Sequence, residues 1–184
     1  MERKGWLMNG RKVAVGVAAG AVSVITVLGG MAPASASGAA EKPSAAAQPS
    51  GRTIGTFAGK CLDVEGASRA DRAPIIQYRC HNGANQRFTF QRVGNNVYKI
   101  RTFAGKCLDV EGASRADRAR IIQYGCHNGA NQRFTLQRVG NNVYKIRTFA
   151  GKCLDVEGAS RADRARIIQY GCHNGANQRF RFTL

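Results

Sequence analysis

Hydrophobic and polar residues alternate in short runs along most of the chain, a pattern that predicts β-strands joined by turns. In one unit of the sequence, the segments richest in β-branched and aromatic residues are VYKIR (97–101), KCLDV (106–110), IIQY (121–124) and RFTLQRV (133–139). Gly140, Asn141 and Asn142 follow the last segment and favour a tight hairpin, because glycine and asparagine tolerate a positive φ. After residue 36 no segment has the apolar spacing of a helix, so the pattern predicts an all-β domain.

The strand pattern repeats every 46 residues. Residues 93–134 and 139–180 are identical, and over residues 57–89 the first copy differs from the second only at Pro74 and Arg79. Each unit is too small to bury its own apolar face, so we expect three units to share one core. Twelve short strands in three equivalent units would form a closed domain with pseudo-three-fold symmetry, which also protects the sheet edges. The predicted repeats span about 51–96, 97–142 and 143–184.

The first 36 residues have the composition of a signal peptide. Basic residues precede an apolar run from Val13 to Leu28, and Ala34-Ser35-Ala36 forms a small-residue cleavage site. The run is long enough that an uncleaved membrane anchor is the alternative, although its glycines and alanines make it weakly hydrophobic. Residues 37–50 are rich in alanine, proline and serine and predict a flexible linker. We expect a secreted, extracellular, monomeric protein without stable membrane association after cleavage.

The chain is strongly basic and contains six cysteines, all after the predicted signal peptide. Its net charge is +17, and removal of residues 1–36 with their four basic and one acidic residues leaves +14, which would attract anionic polymers. The cysteines of each unit are 19 residues apart and lack zinc-like spacing, which indicates a disulfide framework. Fifteen pairings are formally possible. The pairing that respects the repeat is Cys61–Cys80, Cys107–Cys126 and Cys153–Cys172.

This pairing predicts which side chains share a face. If Cys61 faces Cys80 across an antiparallel pair of strands, Asp63 faces Tyr78, and both project outwards on the side of the disulfide. The two aliphatic residues that alternate with Cys61 and Asp63 then point into the core. A histidine and an asparagine follow in the adjacent loop, so a carboxylate, an aromatic ring, an imidazole and an amide gather in one place.

This set of side chains is suited to binding a sugar. A carboxylate accepts hydrogen bonds from vicinal hydroxyls, and an amide both donates and accepts. An aromatic face packs against the C–H side of a pyranose ring. Each of these residues taken alone also fits a solvated or half-buried structural position, but their recurrence in all three units favours the joint interpretation.

The repeated strings CLDV, IIQY and CHNGANQRF resemble the ricin B-type β-trefoil lectins, in particular the family-13 carbohydrate-binding modules of secreted actinobacterial glycosidases. The resemblance covers residues 51–184 and implies a β-trefoil, in which three hairpins cap a six-stranded barrel that carries up to three sugar pockets. The pocket residues that it implies are Asp63, Tyr78, His81, Asn85, Asp109, Tyr124, His127, Asn131, Asp155, Tyr170, His173 and Asn177. It also implies pocket support by Gln86, Gln132 and Gln178, and core positions for Phe88, Phe134 and Phe180.

The sequence departs from the family pattern at two places in each repeat. Members of the family usually have tryptophan at the three core phenylalanine positions. They also usually have glycine after the aspartate of the turn, where this chain has Arg72, Arg118 and Arg164. The arginines put the expected turn geometry in question and add positive charge near the mouths of the pockets.

The leading hypothesis is a trivalent, non-catalytic lectin for galactose-, xylose- or mannose-type glycans, without a cofactor or a metal. The alternative is binding of an anionic polymer, either an acidic polysaccharide or a nucleic acid, through arginines of the SRADRAR segments. These are Arg115, Arg118, Arg120, Arg161, Arg164 and Arg166. Catalysis is disfavoured, because no serine–histidine or second-carboxylate arrangement recurs and a disulfide-bonded sulfur cannot act as a nucleophile.

Overall fold

The computed structural model describes residues 51–184; the predicted signal peptide and linker lie outside the described residues. The described part contains eleven β-strands and six short 3₁₀ turns, and none of its helices is long and apolar enough to cross a membrane. The strands are β1 (Cys61–Val64), β2 (Ile75–Tyr78), β3 (Thr89–Gly94), β4 (Val97–Arg101), β5 (Cys107–Val110), β6 (Ile121–Tyr124), β7 (Phe134–Gly140), β8 (Val143–Arg147), β9 (Cys153–Val156), β10 (Ile167–Tyr170) and β11 (Phe180–Arg181). The 3₁₀ turns are Glu65–Ala67, Ala84–Gln86, Glu111–Ala113, Ala130–Gln132, Glu157–Ala159 and Ala176–Gln178.

The first and last strand segments of the repeats pair into a closed ring. Strand β4 pairs with β3 and β7, and β8 pairs with β7 and β11, all antiparallel. Residues 52–55 complete the ring through bridges from Arg52 to Phe88 and from Gly55 to Arg181. The all-β domain with pseudo-three-fold symmetry that the repeats predict and the β-trefoil that the resemblance implies are therefore both confirmed.

The two middle strands of each repeat form a hairpin, and the three hairpins contact one another. The hairpins are β1–β2, β5–β6 and β9–β10. Isolated bridges join them in a cycle, from Pro74 to Ile122, from Arg120 to Ile168 and from Arg166 to Ile76. This cap brings the repeated polar segments of all three repeats into equivalent positions.

The core is shared by the three repeats. The aliphatic residues that alternate with Cys61 and Asp63 are Leu62 and Val64, and both are fully buried in it, as predicted. The phenylalanines at the usual tryptophan positions are also fully buried in the same core. These are Phe88, Phe134 and Phe180.

The prediction of twelve strands is wrong by one in the described residues. Repeats 2 and 3 each have four strands, whereas the first segment of repeat 1 forms only isolated bridges. Its sequence is GRTIG where the other repeats have VYKIR, and glycine weakens a strand because it loses more backbone entropy on ordering.

The predicted turns and disulfides are observed. Asn96 and Asn142 occupy the hairpin turns with φ of 54° and 53°, the left-handed conformation that asparagine tolerates. The cysteines pair within each repeat, with Cα–Cα distances of 5.0–5.1 Å. Each bridge closes a loop of 19 residues and stabilises the fold by about 3 kcal/mol according to the chain-entropy model.

Candidate functional site

Each cap hairpin carries one polar pocket, and its ladder register differs from the predicted one. In repeat 1, Cys61 pairs with Tyr78 and Asp63 pairs with Ile76, so the prediction that Asp63 faces Tyr78 is wrong by two residues. The reason is that Cys80 lies beyond the end of β2, and the disulfide therefore joins residues that are diagonal rather than opposite. An error of two residues preserves the face of every side chain, so the predicted residues still meet.

The aspartate forms the floor of the pocket and is almost fully buried, contrary to its predicted outward position. In repeat 2, Asp109 is only 3% exposed. Its Oδ1 accepts a hydrogen bond from Asn131 Nδ2 at 2.9 Å, and its Oδ2 accepts one from Gln132 Nε2, also at 2.9 Å. Buried carboxylates require such donors, because burial without them is costly.

The histidine has a polar contact at each ring nitrogen. The Gly129 N–H donates to His127 Nδ1 at 3.0 Å. His127 Nε2 lies 3.3 Å from Asp109 Oδ2, and the His127 N–H donates to Gln132 Oε1 at 2.8 Å. Gln132 therefore contacts both the aspartate and the histidine backbone, and its role in supporting the pocket stays a prediction.

The glycine beside the histidine allows this close packing. A Cβ added at Gly129 would lie 2.6 Å from Asn131 Oδ1 and 2.6 Å from His127 Cε1, closer than real side chains approach. The same crowding occurs at Gly83 and Gly175. These glycines were not predicted as part of the site, although their constant position two residues after each histidine was the available signal.

The tyrosine is the exposed member of the site. Tyr124 is 40% exposed and Tyr170 is 42% exposed, and each ring meets its neighbouring histidine edge-on at 6.2–6.3 Å between centroids. Tyr78 is half-buried, because Arg79 lies over its ring with the guanidinium carbon 5.6 Å from the centroid. Repeats 2 and 3 have glycine at that position, so their tyrosines lack this cover.

The four predicted residues of each repeat come together in all three repeats. They line cavities of about 310, 370 and 410 Å³ in repeats 1, 2 and 3, at the low end of the range for small-molecule sites. The aspartates of repeats 1 and 3 are also 3% exposed, and they accept hydrogen bonds of 2.8 Å from Gln86 and Gln178. Within residues 51–184, no cluster of histidine, cysteine, aspartate or glutamate is placed to bind a metal ion.

A second carboxylate and an isoleucine, which were not predicted from the sequence, also line each pocket. In repeat 2 they are Glu111 and Ile122, which pack beside Asp109 and Tyr124. Glu111 follows Asp109 by two residues, and Ile122 precedes Tyr124 by two. Residues two apart in an extended chain lie on the same face, and this spacing was the signal for both in the sequence.

Each pocket is completed by an arginine from the preceding repeat. Arg72 of repeat 1 lines the pocket of repeat 2, and its Nη2 donates to Glu111 Oε1 at 2.8 Å. Arg118 likewise lines the pocket of repeat 3, and Arg164 lines that of repeat 1. The positive charge predicted near the pocket mouths is therefore present, but it comes from the neighbouring repeat.

The whole turn before this arginine is tied to the next repeat. Gln123 Nε2 donates to the carbonyls of Ser68 and Ala70, both at 2.8 Å. Asp71 accepts hydrogen bonds from Lys106 Nζ at 2.6 Å and from the Gly125 N–H at 2.9 Å. Equivalent lysine–aspartate pairs join Lys152 to Asp117 and Lys60 to Asp163.

These contacts change the acidity of the carboxylates involved. The Lys106 hydrogen bond holds the pKa of Asp71 below its ordinary value, and lysine acts in the same way on Asp117 and Asp163. Hydrogen bonds from Arg120 lower the pKa of Glu111, and Arg72 adds to this effect. The pocket glutamate of repeat 2 is therefore ionised at neutral pH and paired with arginine.

Comparison with known proteins identifies the type of domain. Residues 49–180 match the family described as the ricin-type β-trefoil lectin domain. The designed three-fold symmetric protein ThreeFoil is 42% identical, with 71% of this chain and 95% of ThreeFoil covered at a TM-score of 0.69. No curated protein matches the chain.

Two natural proteins of known structure extend this likeness. An exo-β-1,3-galactanase from Clostridium thermocellum is 31% identical, with a TM-score of 0.69 over 72% of this chain but only 30% of the enzyme. A Macrolepiota procera ricin B-like lectin, whose structure is a complex with lactose, is 22% identical, with a TM-score of 0.62 over 74% of this chain and 96% of the lectin. At that identity, the second likeness concerns the fold alone.

Proposed function

The chain belongs to the ricin-type β-trefoil lectin family, and from that premise we propose that it is a secreted, non-catalytic protein that binds glycans through three pockets. The observation that carries the proposal is the pairing, in every repeat, of a buried aspartate that accepts a hydrogen bond from a glutamine with a tyrosine at the pocket surface. The proposal includes the export signal at residues 1–36, the linker at residues 37–50 and the likeness to family-13 carbohydrate-binding modules.

The pocket geometry suggests how a sugar would bind in repeat 2. Asp109 Oδ1 accepts one hydrogen bond from Asn131, so a second acceptor position is free for a sugar hydroxyl. The exposed ring of Tyr124 offers a flat apolar face for the C–H side of the pyranose. Because the hydrogen-bond network fixes the floor before binding, little ordering is needed when the sugar arrives.

Three small pockets on one rigid body favour multivalent binding. A single open pocket of this kind is expected to bind weakly, whereas three pockets on one polysaccharide gain about 10²- to 10⁴-fold if the ligand spans them. The likeness to an exo-β-1,3-galactanase supports galactose-type glycans as the first ligands to test. Xylose- and mannose-type polymers are the other candidates.

A specific observation favours the second candidate function, binding of an anionic polymer. The arginines at the pocket mouths remain 68–71% exposed although each makes an ion pair. Exposed guanidinium groups on a strongly basic chain bind acidic polysaccharides or nucleic acids in a manner that weakens steeply with salt. Binding that persists at about 0.5 M salt would contradict this candidate, because screening removes most of the attraction between exposed charges.

Affinity gel electrophoresis with galactan, xylan and mannan tests the main proposal. The first variant replaces the tyrosines, of which one is half-buried and two are exposed, and it leaves the floor network intact: Tyr78→Ala, Tyr124→Ala and Tyr170→Ala. A second variant carries Asp63→Ala, Asp109→Ala and Asp155→Ala, and its folding is followed by circular dichroism because these residues are buried. We expect both variants to lose retardation by the polysaccharide that retards the parent. If the folded tyrosine variant is retarded like the parent, the pockets are assigned wrongly.

A further inference from the structure

The loop that follows the second cysteine of each repeat contains the dipeptide Asn-Gly, at residues 82–83, 128–129 and 174–175. We infer that Asn128 and Asn174 are sites of self-catalysed deamidation, in which each asparagine becomes aspartate or isoaspartate without an added enzyme. The equivalent asparagine of repeat 1 lacks one of the groups that promote the reaction and reacts more slowly. Both sites lie beside sugar pockets, so the reaction alters the pockets of repeats 2 and 3 as the protein ages.

Deamidation joins the side chain of an asparagine to the backbone of the next residue. The backbone nitrogen of Gly129 attacks Cγ of Asn128 and gives up its proton, and the Cγ–Nδ2 bond then breaks to release ammonia. The product is a cyclic succinimide, which water opens at either carbonyl to yield aspartate or isoaspartate. Glycine favours the attack because no side chain crowds its nitrogen. Asn128 and Asn174 are both exposed to the water that the second step consumes.

The proton acceptor that this reaction needs is already bound to the attacking nitrogen. The Gly129 N–H donates to His127 Nδ1 at 3.0 Å, and in repeat 3 the Gly175 N–H donates to His173 Nδ1 at 2.9 Å. A backbone carbonyl at that position would only hold the proton in place. An imidazole nitrogen can instead accept the proton as a general base and transfer it to the leaving amine as ammonia departs.

A lysine contacts the oxygen on which negative charge develops. Lys99 Nζ donates to Asn128 Oδ1 at 3.2 Å, and Lys145 Nζ donates to Asn174 Oδ1 at 3.3 Å. When the backbone nitrogen attacks Cγ, this oxygen becomes an oxyanion, and an ammonium group that already contacts it stabilises the transition state. In repeats 2 and 3 a base therefore lies at the nucleophile and a cation lies at the electrophile.

Repeat 1 has the same dipeptide and the same base but no cation at the amide oxygen. The Gly83 N–H donates to His81 Nδ1 at 3.1 Å. Thr53 stands at the position of Lys99 and carries no charge. Asn82 also has a left-handed φ of 60°, which neither of the other two asparagines has. Because the string CHNGANQRF is the same in all three repeats, a difference in reaction rate would come from the fold and not from the local sequence.

Isoaspartate in the loop of repeat 2 would disturb its pocket, a consequence that rests on the proposed function. In isoaspartate the main chain runs through the side chain, so the loop between His127 and Gly129 gains a further backbone atom. The loop has no room for it, since even a Cβ at Gly129 would lie 2.6 Å from His127 Cε1 and from Asn131 Oδ1. Displacement of Asn131 would remove its hydrogen bond to Asp109, and sugar binding in that pocket should be lost. The aspartate product leaves the backbone unchanged and should keep the site.

Mass spectrometry of the aged protein measures the reaction at each asparagine. The folded chain is incubated in neutral buffer over days, then unfolded and cleaved after glutamate, which separates the three loops into fragments 66–111, 112–157 and 158–184. We expect Asn128 and Asn174 to convert at similar rates, about tenfold or more above the rate of Asn82. In a reduced and unfolded chain, all three should convert at similar rates. Equal rates in the folded chain, or no conversion of Asn128 and Asn174, would overturn the inference.

Two single variants test the assigned groups, with repeat 3 as the control in the same molecule. Lys99→Met keeps the length of the side chain and removes its charge, so conversion of Asn128 should slow about tenfold while that of Asn174 is unchanged. His127→Gln keeps an acceptor beside the Gly129 N–H and removes the base, so conversion of Asn128 should slow at least as much. An unchanged or faster rate at Asn128 would overturn the role of the substituted group.

Calorimetric titration connects the modification to the proposed function. With a sugar that binds the fresh protein, the number of sites should fall in step with the isoaspartate content of repeats 2 and 3. Treatment with an isoaspartyl methyltransferase, which allows isoaspartate to return to aspartate, should restore the sites. Asn128→Asp carries the aspartate product from the start and should bind within about threefold of the parent.

The two readouts separate failure of this inference from failure of the proposed function. Undiminished binding by protein rich in isoaspartate would overturn the predicted loss of the pockets. Absence of the modification would overturn the whole inference and leave the proposed function standing. Unchanged binding by the folded tyrosine variant contradicts the pocket assignment of the proposed function, whereas the mass of each fragment is measured without any sugar.

Discussion

Leu108 and Asp109 are neighbours in strand β5, and both are almost fully buried, at 0% and 3% exposure. Leu108 lies in the apolar core that the three repeats share, whereas Asp109 lies on the opposite face beneath the pocket. The leucine is buried because its removal from water is favourable, and the aspartate is tolerated because neighbouring side chains donate to its oxygens. Burial alone therefore does not distinguish a core residue from a site residue.

The difference implies different consequences when the two faces are altered. On the core face, a truncated side chain leaves a cavity that the surrounding residues fill only partly. On the pocket face, loss of an acceptor leaves buried donors without partners. Because repeats 2 and 3 are identical over 42 residues, from 93–134 and 139–180, each change has an internal control in the other repeat.

Truncation on the core face is expected to have the largest effect. Leu108→Ala should lower the free energy of unfolding by about 2–5 kcal/mol, the range for fully buried leucines. Denaturant unfolding followed by circular dichroism measures the loss, and Leu154→Ala in repeat 3 should give a similar value. Sugar binding should be unchanged at temperatures where the variant is folded. A loss below about 1 kcal/mol would mean that the core relaxes around the cavity and that the contrast between the faces is smaller than argued.

A substitution on the pocket face should lower the free energy of unfolding less than one on the core face, but it should abolish binding in the altered pocket. Asp109→Asn keeps the shape of the side chain and replaces one acceptor oxygen with a donor that faces the Asn131 and Gln132 amides. We expect a loss of about 1–3 kcal/mol in the free energy of unfolding, the cost of an unsatisfied buried group. Binding in the second pocket should be lost as well.

The control for this change is Asp155→Asn, which alters the third pocket, and calorimetric titration with a sugar that binds the parent counts the remaining sites. Each single variant should lose one site. A variant that loses stability and keeps all of its sites would limit the aspartate to a structural role and would contradict its predicted contact with the sugar.

Most features of the fold follow from local patterns in the sequence. The alternation in CLDV places Leu62 and Val64 in the core, and the spacing of the cysteines within the repeat yields the disulfide pairing. The repeat itself explains why the domain closes with three-fold symmetry. The predicted pocket residues lie together although the predicted register was wrong by two residues, because a shift of two residues leaves every side chain on the same face of the strand.

The features that could not be predicted depend on contacts between segments that are distant in the sequence, either within one repeat or between repeats. Parity shows that Asp63 lies on the pocket face, but the depth of its burial depends on a loop more than 20 residues later. The sequence also does not show that Arg72 crosses to the pocket of the next repeat, because that depends on how the hairpins meet in the cap. The left-handed φ of Arg72 could not be predicted from its residue type either, because arginine disfavours that conformation.

The ion pairs between repeats are polar contacts that are exposed to solvent. Their loss should therefore have the smallest effect on stability. Hydrogen bonds from lysine lower the pKa of Asp71, Asp117 and Asp163 in the folded protein below the ordinary value of 3.8. A lowered folded-state pKa stabilises the fold above the unfolded-state pKa, and this stabilisation disappears as the pH falls through the folded-state value. Stability should therefore decline modestly below about pH 4.

The size of this decline in stability shows whether the exposed ion pairs contribute less to stability than the buried hydrogen bonds of the pocket floor. The variant Asp71→Asn, Asp117→Asn and Asp163→Asn should show a shallower fall in Tm between about pH 5 and pH 2 than the parent, since amides do not titrate. Exposed ion pairs contribute little individually, so the Tm of the variant at neutral pH should stay close to that of the parent. An equal fall in both chains would assign the acid sensitivity to other carboxylates, and Glu111 is the first to test because arginine lowers its pKa as well. Exposed carboxylates would then differ from the buried Asp109 of strand β5, because only hydrogen bonds to a buried carboxylate would contribute measurably to the free energy of unfolding.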